Sequence, residues 1–182
     1  MKKAVAFLAE GFEETEAIAP IDMLRRAGVS VTTAAIGETA EVRGSHDIFI
    51  RADRLFEELD YEGFDLFILP GGGKGTENLE ASEKLKKVLL EADSKGKYLA
   101  AICAAPRVLG KLSLLKGQRA ICYPGNEKYL TGAEIASGER AVISGRFITS
   151  RGMGTAVDFG AALIEVLEGK EKAQDVLNAI QF

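Results

Sequence analysis

The 182-residue chain has little of what metal binding and nucleophilic catalysis usually draw on: one histidine, His46, and two cysteines, Cys103 and Cys122. With no Cys-x-x-Cys pair and a single imidazole, a structural zinc site is excluded and no bound metal is expected. Basic residues number 23 against 27 acidic ones, a net charge of −4. That balance offers no basic excess to neutralise phosphates and argues against a nucleic-acid surface. No apolar run approaches the roughly 20 residues of a membrane span. The apolar stretch near Met1 lasts five or six residues before Glu10, Glu13 and Glu14, too short for a signal sequence, so the expected location is cytoplasmic. Two thiols in that setting are expected to be reduced. No Gly-x-Gly-x-x-Gly follows the first predicted strand, so a dinucleotide fingerprint is missing, and no cofactor is expected.

What is present reads as an ordinary globular chain, 47% apolar and 27% charged. With no linker, repeat or low-complexity stretch, residues 1–182 are expected to form a single domain. Short apolar runs at Lys3–Leu8, Val29–Ile36, Phe64–Leu69 and Tyr98–Ile102 predict buried strands. Apolar spacing predicts helices over Glu13–Ala27, Glu83–Ala92, Ala104–Leu109, Thr155–Leu167 and Glu171–Ile180. Pro20, inside the first of these, predicts a kink or a late start. Val42–Ile50 predicts a hairpin, and short strand-like pieces lie between Gly117 and Arg146. Alternating strands and helices predict an α/β fold with a mostly parallel, doubly wound sheet. In such sheets ligands sit beyond the carboxyl ends of the strands. Here those ends are Ala9-Glu-Gly11, Pro70-Gly-Gly-Gly73 and Cys103-Ala104, so three motifs converge on one edge.

Cys103 follows a buried strand, and Ala104 and Ala105 leave room for a sharp turn into a helix, an elbow that exposes the side chain and strains the backbone. A helix N-terminus there favours the thiolate, although a free cysteine is often only a small buried hydrophobe. The glycines after Leu69 allow close backbone approach and aim amides at an incoming oxygen. In Glu13-Glu14-Thr15-Glu16, two acids are expected simply to complement the helix dipole. Glu16, one turn in, is placed to carry a proton and donate a hydrogen bond to a thiolate. A Cys-His-acid hydrolase needs a histidine base. His46 falls in the hairpin and is expected at the surface, and Cys122 is expected to be a buried strand residue.

The chain also resembles the ThiJ/PfpI superfamily, in the branch of Parkinson disease protein 7 and its bacterial relatives. The resemblance rests on Gly11-Phe-Glu-Glu-Thr-Glu16, Arg25-Arg-Ala-Gly28, Leu69-Pro-Gly-Gly72, Asn78-Leu79, Ala100-Ala-Ile-Cys-Ala-Ala-Pro106, Thr149-Ser-Arg-Gly-Met-Gly-Thr155 and Gly169-Lys-Glu171. It implies a flavodoxin-like three-layer sandwich and a homodimer. It also implies that Cys103 is an oxidation-prone nucleophile, Glu16 its partner carboxylate, and that the amides of Gly72 and Ala104 face a substrate oxygen. Ser150 and Arg151 fall on a loop near the site, and Arg26 on an arginine of an anion pocket. Tyr123 stands where several members have a histidine. His46 stands where some have an arginine, which would make the anion pocket weaker or pH-dependent. Three functions follow as expectations. One is a glutathione-independent glyoxalase or deglycase acting on reactive carbonyls such as methylglyoxal. The second is a redox sensor or chaperone working through oxidation of Cys103. The third is a cysteine amidase or peptidase, disfavoured by the missing histidine.

Overall fold

In the computed structural model, which describes residues 1–182, β1 (Lys3–Ala9) is buried from Ala4 onward. An uninterrupted apolar run is what a strand covered on both faces requires. α1 (Glu14–Arg26) follows directly, with Glu13 as its N-cap accepting from the amide of Glu16 at 2.7 Å. Arg25 and Arg26 in its last turn complement the helix dipole. Pro20 neither delays nor ends this helix, contrary to the sequence expectation. Ala17, Ile21 and Leu24 are buried together with Pro20 itself, and this tertiary packing outweighs the one hydrogen bond a proline removes.

β2 (Ser30–Ile36), the hairpin β3 (Glu41–Arg43) and β4 (Phe49–Arg51), and β5 (Arg54–Leu55) come next. β6 (Leu66–Leu69), α2 (Gly73–Ala81), α3 (Glu83–Ser94), β7 (Tyr98–Ile102) and α4 (Pro106–Lys111) form the middle of the chain. The short parallel pair β8 (Arg119–Ala120) and β9 (Glu134–Ile135) precedes β10 (Ala141–Ser144), β11 (Phe147–Ser150), α5 (Ala156–Glu168) and α6 (Lys170–Ala179). Among the α-helices only α2 has no counterpart in the sequence pattern; of the strands, β5 and β11 have none. Two glycines, Gly73 and Gly75, lie in the first turn of α2 and lower its intrinsic helix propensity.

The sheet runs β10-β11-β7-β6-β1-β2-β5, parallel throughout except for the antiparallel β10–β11 pair. Strand alternation sorts its side chains into two cores. Ala4, Ala6, Leu8, Ile68, Ala100 and Ile102 pack with α1, α5 and α6. Val5, Phe7, Ala9, Phe67, Leu99 and Ala101 pack with α2, α3 and α4 on the other face. Helices therefore cover both faces of the sheet, giving the expected flavodoxin-like three-layer α/β sandwich. The central order reverses between β1 and β6, the switch point where doubly wound sheets open a crevice. No helix is long and apolar enough to cross a membrane.

Candidate active site

Three loops meet above the switch point, from β1, β6 and β7. They are held at close range by backbone: the amide of Glu13 donates to Gly71 O (3.0 Å) and that of Gly75 to Gly11 O (3.0 Å). Asn78, on α2, donates its side-chain amide to Glu10 O at 2.8 Å. This approach explains why α2 opens on glycines, since a Cβ on Gly75 would lie 2.6 Å from the Cα of Phe12.

Cys103 occupies the elbow at the end of β7 with φ of +66°, a left-handed conformation rare for a residue with a side chain. Both of its peptide groups are fixed. Its amide donates to Ser150 O at 2.8 Å, and its carbonyl accepts from the amide of Tyr123 at 2.7 Å. α4 begins only at Pro106, after a turn through Ala104 and Ala105, rather than at Ala104 as the sequence suggested. The thiol is therefore not seated on the first turn of a helix.

Glu16 is 1% exposed. The Cys103 side chain and the amide of Met153 lie beside its carboxylate, and its Oε2 accepts from the amide of Gly71 at 3.0 Å. Burial, assisted by the charge of Glu13, pushes Glu16 up to about 7 against the pull of those neighbours. Burial and then the Glu16 charge push Cys103 up to about 12, while the nearby amides of Gly72 and Ala104 pull it down. The sequence suggested a thiolate held by a helix N-terminus and a protonated Glu16; burial instead raises both groups, and their titrations are coupled, Glu16 being the first to give up its proton. When Glu16 holds that proton, its repulsion of the sulfur disappears and its O–H donates to Sγ. The same arrangement sets a nucleophile, a proton carrier and two amides around one point.

The other residues singled out from the sequence divide. Tyr123 contributes its amide, while its ring is 53% exposed and lies against Gly152. Arg151 is half-buried beside Tyr123 in a shallow cavity of about 420 Å³. The Ser150 hydroxyl is turned away, bonded to Arg140 O at 2.6 Å and to Thr155 Oγ1 at 2.7 Å. Only the Ser150 carbonyl reaches Cys103, so this residue positions the elbow rather than binding substrate. Arg26 does not join the site within this chain. It lies at the far end of α1 from Glu16, about 15 Å along the axis at 1.5 Å per residue, and pairs with Asp22 at 2.6 Å. Cys122 is buried as expected, but just past β8 rather than within a strand, and burial followed by the nearby Glu127 pushes its thiol up to about 12.

Sequence reasoning missed the amides of Gly71 and Met153, and it undervalued Glu14. Gly71 lay within a noticed glycine run, whereas nothing local to Met153 signals its role. Glu14 is buried rather than a solvated acid of the first turn. Burial would raise its pKa, but hydrogen bonds from the His46 ring (2.9 Å), the His46 amide (2.6 Å) and Ser45 Oγ (3.1 Å) overcome that and hold it at about 2. His46 is exposed as expected, yet it anchors the β3–β4 hairpin to α1. The atoms of Glu13, Glu14 and His46 lie within 4.8 Å of one another. Glu13 is occupied by the amide of Glu16 and Glu14 by His46 and Ser45, so the cluster is a satisfied ion pair and no metal enters the chemistry derived below.

The DJ-1/PfpI family model matches residues 2–166. Protein DJ-1 homolog B of Arabidopsis thaliana is 40% identical over 176 residues, covering 96% of this chain and 40% of that protein. The chain thus spans about two fifths of that relative's length. A Pyrococcus horikoshii protein named a deglycase is 30% identical over 151 residues, covering 82% of this chain and 89% of that one. The structure of oxidized Toxoplasma gondii DJ-1 superposes with a TM-score of 0.94 at 34% identity, covering 100% of this chain and 99% of that one.

Proposed function

The chain belongs to the DJ-1/PfpI family, and on that premise we propose that it converts reactive 2-oxoaldehydes such as methylglyoxal to hydroxy acids without glutathione. The observation that carries this reading is the side-by-side placement of Cys103 and the buried Glu16 carboxylate against Gly71. Sγ adds to the aldehyde carbon, the C=O electron pair moves to oxygen, and the Glu16 proton caps that oxygen to give a hemithioacetal. The amides of Gly72 and Ala104 are placed to stabilise the charge while it develops. Glu16, now a carboxylate, removes the C1 proton and returns it at C2, while the hydroxyl proton on O1 passes to O2, so that C1 becomes the thioester carbonyl and C2 the carbinol. Water then cleaves the resulting thioester, releasing lactate and restoring the thiol, so that methylglyoxal and water account for every atom of the product. The deglycase name of the Pyrococcus horikoshii relative supports carbonyl chemistry at such a site.

Incubation with methylglyoxal and measurement of lactate tests this. Turnover should vanish in Cys103→Ser; equal turnover by the variant and the wild type refutes it. The site has no histidine to act as base, since His46 is engaged by Glu14, which leaves the amidase reading without its proton acceptor.

A second reading, oxidation of Cys103 as a redox signal, is favoured by one observation. A buried carboxyl group beside the Cys103 side chain is placed to donate to a sulfinate oxygen, and the Toxoplasma gondii relative is described as oxidized. Mass spectrometry after mild peroxide should find oxygen on Cys103 before Cys122 or the methionines; the reverse order refutes it. We further place the protein in the cytoplasm as a homodimer. Ile18 (41% exposed) lies one turn beyond Glu14 on the helix face that meets the hairpin, where Ile48 and Phe49 are also exposed. These side chains form a candidate face for a second copy. Sedimentation should give a dimer that Phe49→Glu weakens, and a wild-type monomer refutes the assignment.

A further inference from the structure

We propose that Arg151 selects substrates that carry a carboxylate, so that the preferred class is 2-oxoaldehydes with an anionic tail; this rests on the carbonyl-converting reading above. Most guanidinium groups elsewhere in the chain are engaged, and Arg51, which is not, is exposed. Arg25 pairs with Asp53, Arg26 with Asp22, Arg107 with Glu80, Arg140 with Asp158 and Arg146 with Asp93. Arg151 has no acid, carbonyl or side-chain acceptor within bonding distance, although it is half-buried. A half-buried cation without a partner retains its full capacity to bind an anion, and its planar fork suits a carboxylate bidentately.

Its place on the chain directs that capacity to the site. β11 and β7 run parallel with Ser150 opposite Ile102, so Arg151 and Cys103 each follow directly on the ends of neighbouring strands. The residue before it gives the carbonyl that holds the Cys103 amide. Two residues after it, Met153 gives the amide that holds Glu16. Arg151 lines the cavity with Tyr123 and Pro124, and Tyr123 is itself bonded to Cys103. Glu127 lines an adjoining cavity together with Arg151, but forms no ion pair with it and accepts from the amide of Gly125 at 2.7 Å. A substrate whose aldehyde reaches Sγ would thus have its other end beside an unneutralised guanidinium. For a dicarbonyl acid such as 4,5-dioxopentanoate, addition of one water gives 2-hydroxyglutarate by the same internal transfer, with no other reactant.

The test compares kcat/KM for 4,5-dioxopentanoate with that for methylglyoxal, read as hydroxy acid formed. Wild type should favour the anionic aldehyde. Arg151→Met should lower the ratio of the two about tenfold or more, as loss of a charge-assisted hydrogen bond does. Arg151→Lys should recover part of it, and Arg54→Met, at the opposite edge of the sheet, should leave it unchanged. An unaltered ratio in Arg151→Met overturns the proposal. A second readout needs no turnover: alkylation of Cys103 by iodoacetate and by iodoacetamide, in which the S–C bond forms as iodide leaves. Loss of Arg151 should lower the iodoacetate-to-iodoacetamide rate ratio several-fold, and an unchanged ratio again overturns the proposal. If wild type converts neither aldehyde, the proposed function fails, while the alkylation ratio still decides whether Arg151 recognises anions at this thiol.

Discussion

Replacing Glu16 with glutamine removes a buried acid while keeping its shape, and the consequence for stability depends on pH in a calculable way. Burial holds Glu16 at about 7 against an ordinary 4.5. Between those two values the native state binds more protons than the unfolded chain, so wild-type stability falls as pH rises through that window and is level above it. At about 1.4 kcal/mol per pH unit, the displacement amounts to about 3 kcal/mol. Glutamine has no such proton. Urea unfolding of wild type and Glu16→Gln should therefore show the variant gaining about 3 kcal/mol relative to wild type between pH 4 and pH 8. Any change in hydrogen-bond geometry adds the same offset at both pH values and cancels in that difference. Lactate formation from methylglyoxal should fall by about a hundredfold or more in the same variant, the usual loss when a proton-transferring group is removed. Stability would then rise where activity is lost, as expected of a strained catalytic acid. A stability difference that does not change with pH would refute the assignment of Glu16 as a buried, proton-holding acid.

Gly71→Ala should abolish Cys103 chemistry while leaving the sheet intact. Its methyl group would lie 2.6 Å from the Cys103 Cβ and collide with Glu16 Oε2; circular dichroism and alkylation rates would check this, with wild-type reactivity as the contrary result. Ser150→Ala removes the hydroxyl that bonds the Arg140 carbonyl and one of the bonds of the buried Thr155 hydroxyl, which keeps Gly152, and should destabilise the fold by about 1–3 kcal/mol in urea titrations. His46, raised by its bond to Glu14, contributes stability that is complete below its ordinary 6.5 and is lost as pH rises through its higher folded value. His46→Ala should accordingly be most destabilised relative to wild type at pH 5–6, with the gap narrowing in alkaline buffer. A gap independent of pH would show that the ion pair contributes nothing.

The sequence is most legible where a local pattern and the tertiary environment agree. β7 begins at Tyr98 and ends at Ile102 as its apolar run dictates, and the elbow at Cys103 follows from the small residues after it. α2 is hidden because Gly73 and Gly75 satisfy a close approach to Phe12 rather than helix propensity. The chemical pair is legible in its side chains but not in its amides. Met153 lies 137 positions from Glu16 in the chain, and only the return of the β11 loop brings it near. Glu14 looks like any acid of a first turn until the hairpin folds over it and supplies His46. Arg26 matches a motif, but a helix carries it away from Glu16 at a fixed rise per residue, a distance that motif matching does not weigh.

The left-handed backbone of Cys103 also bears on how the protein matures. That conformation costs roughly 1–2 kcal/mol when unsupported. Its two restraints come from Ser150 and Tyr123, both later in the chain. Neither is in place until β11 has paired with β7 and the segment after β8 has docked. A nascent or partly opened chain consequently carries an ordinary, relaxed cysteine, without Glu16 or the two amides around its sulfur. The environment that sets this thiol apart comes into being with the finished fold, so its alkylation rate against that of an unfolded chain would report correct folding.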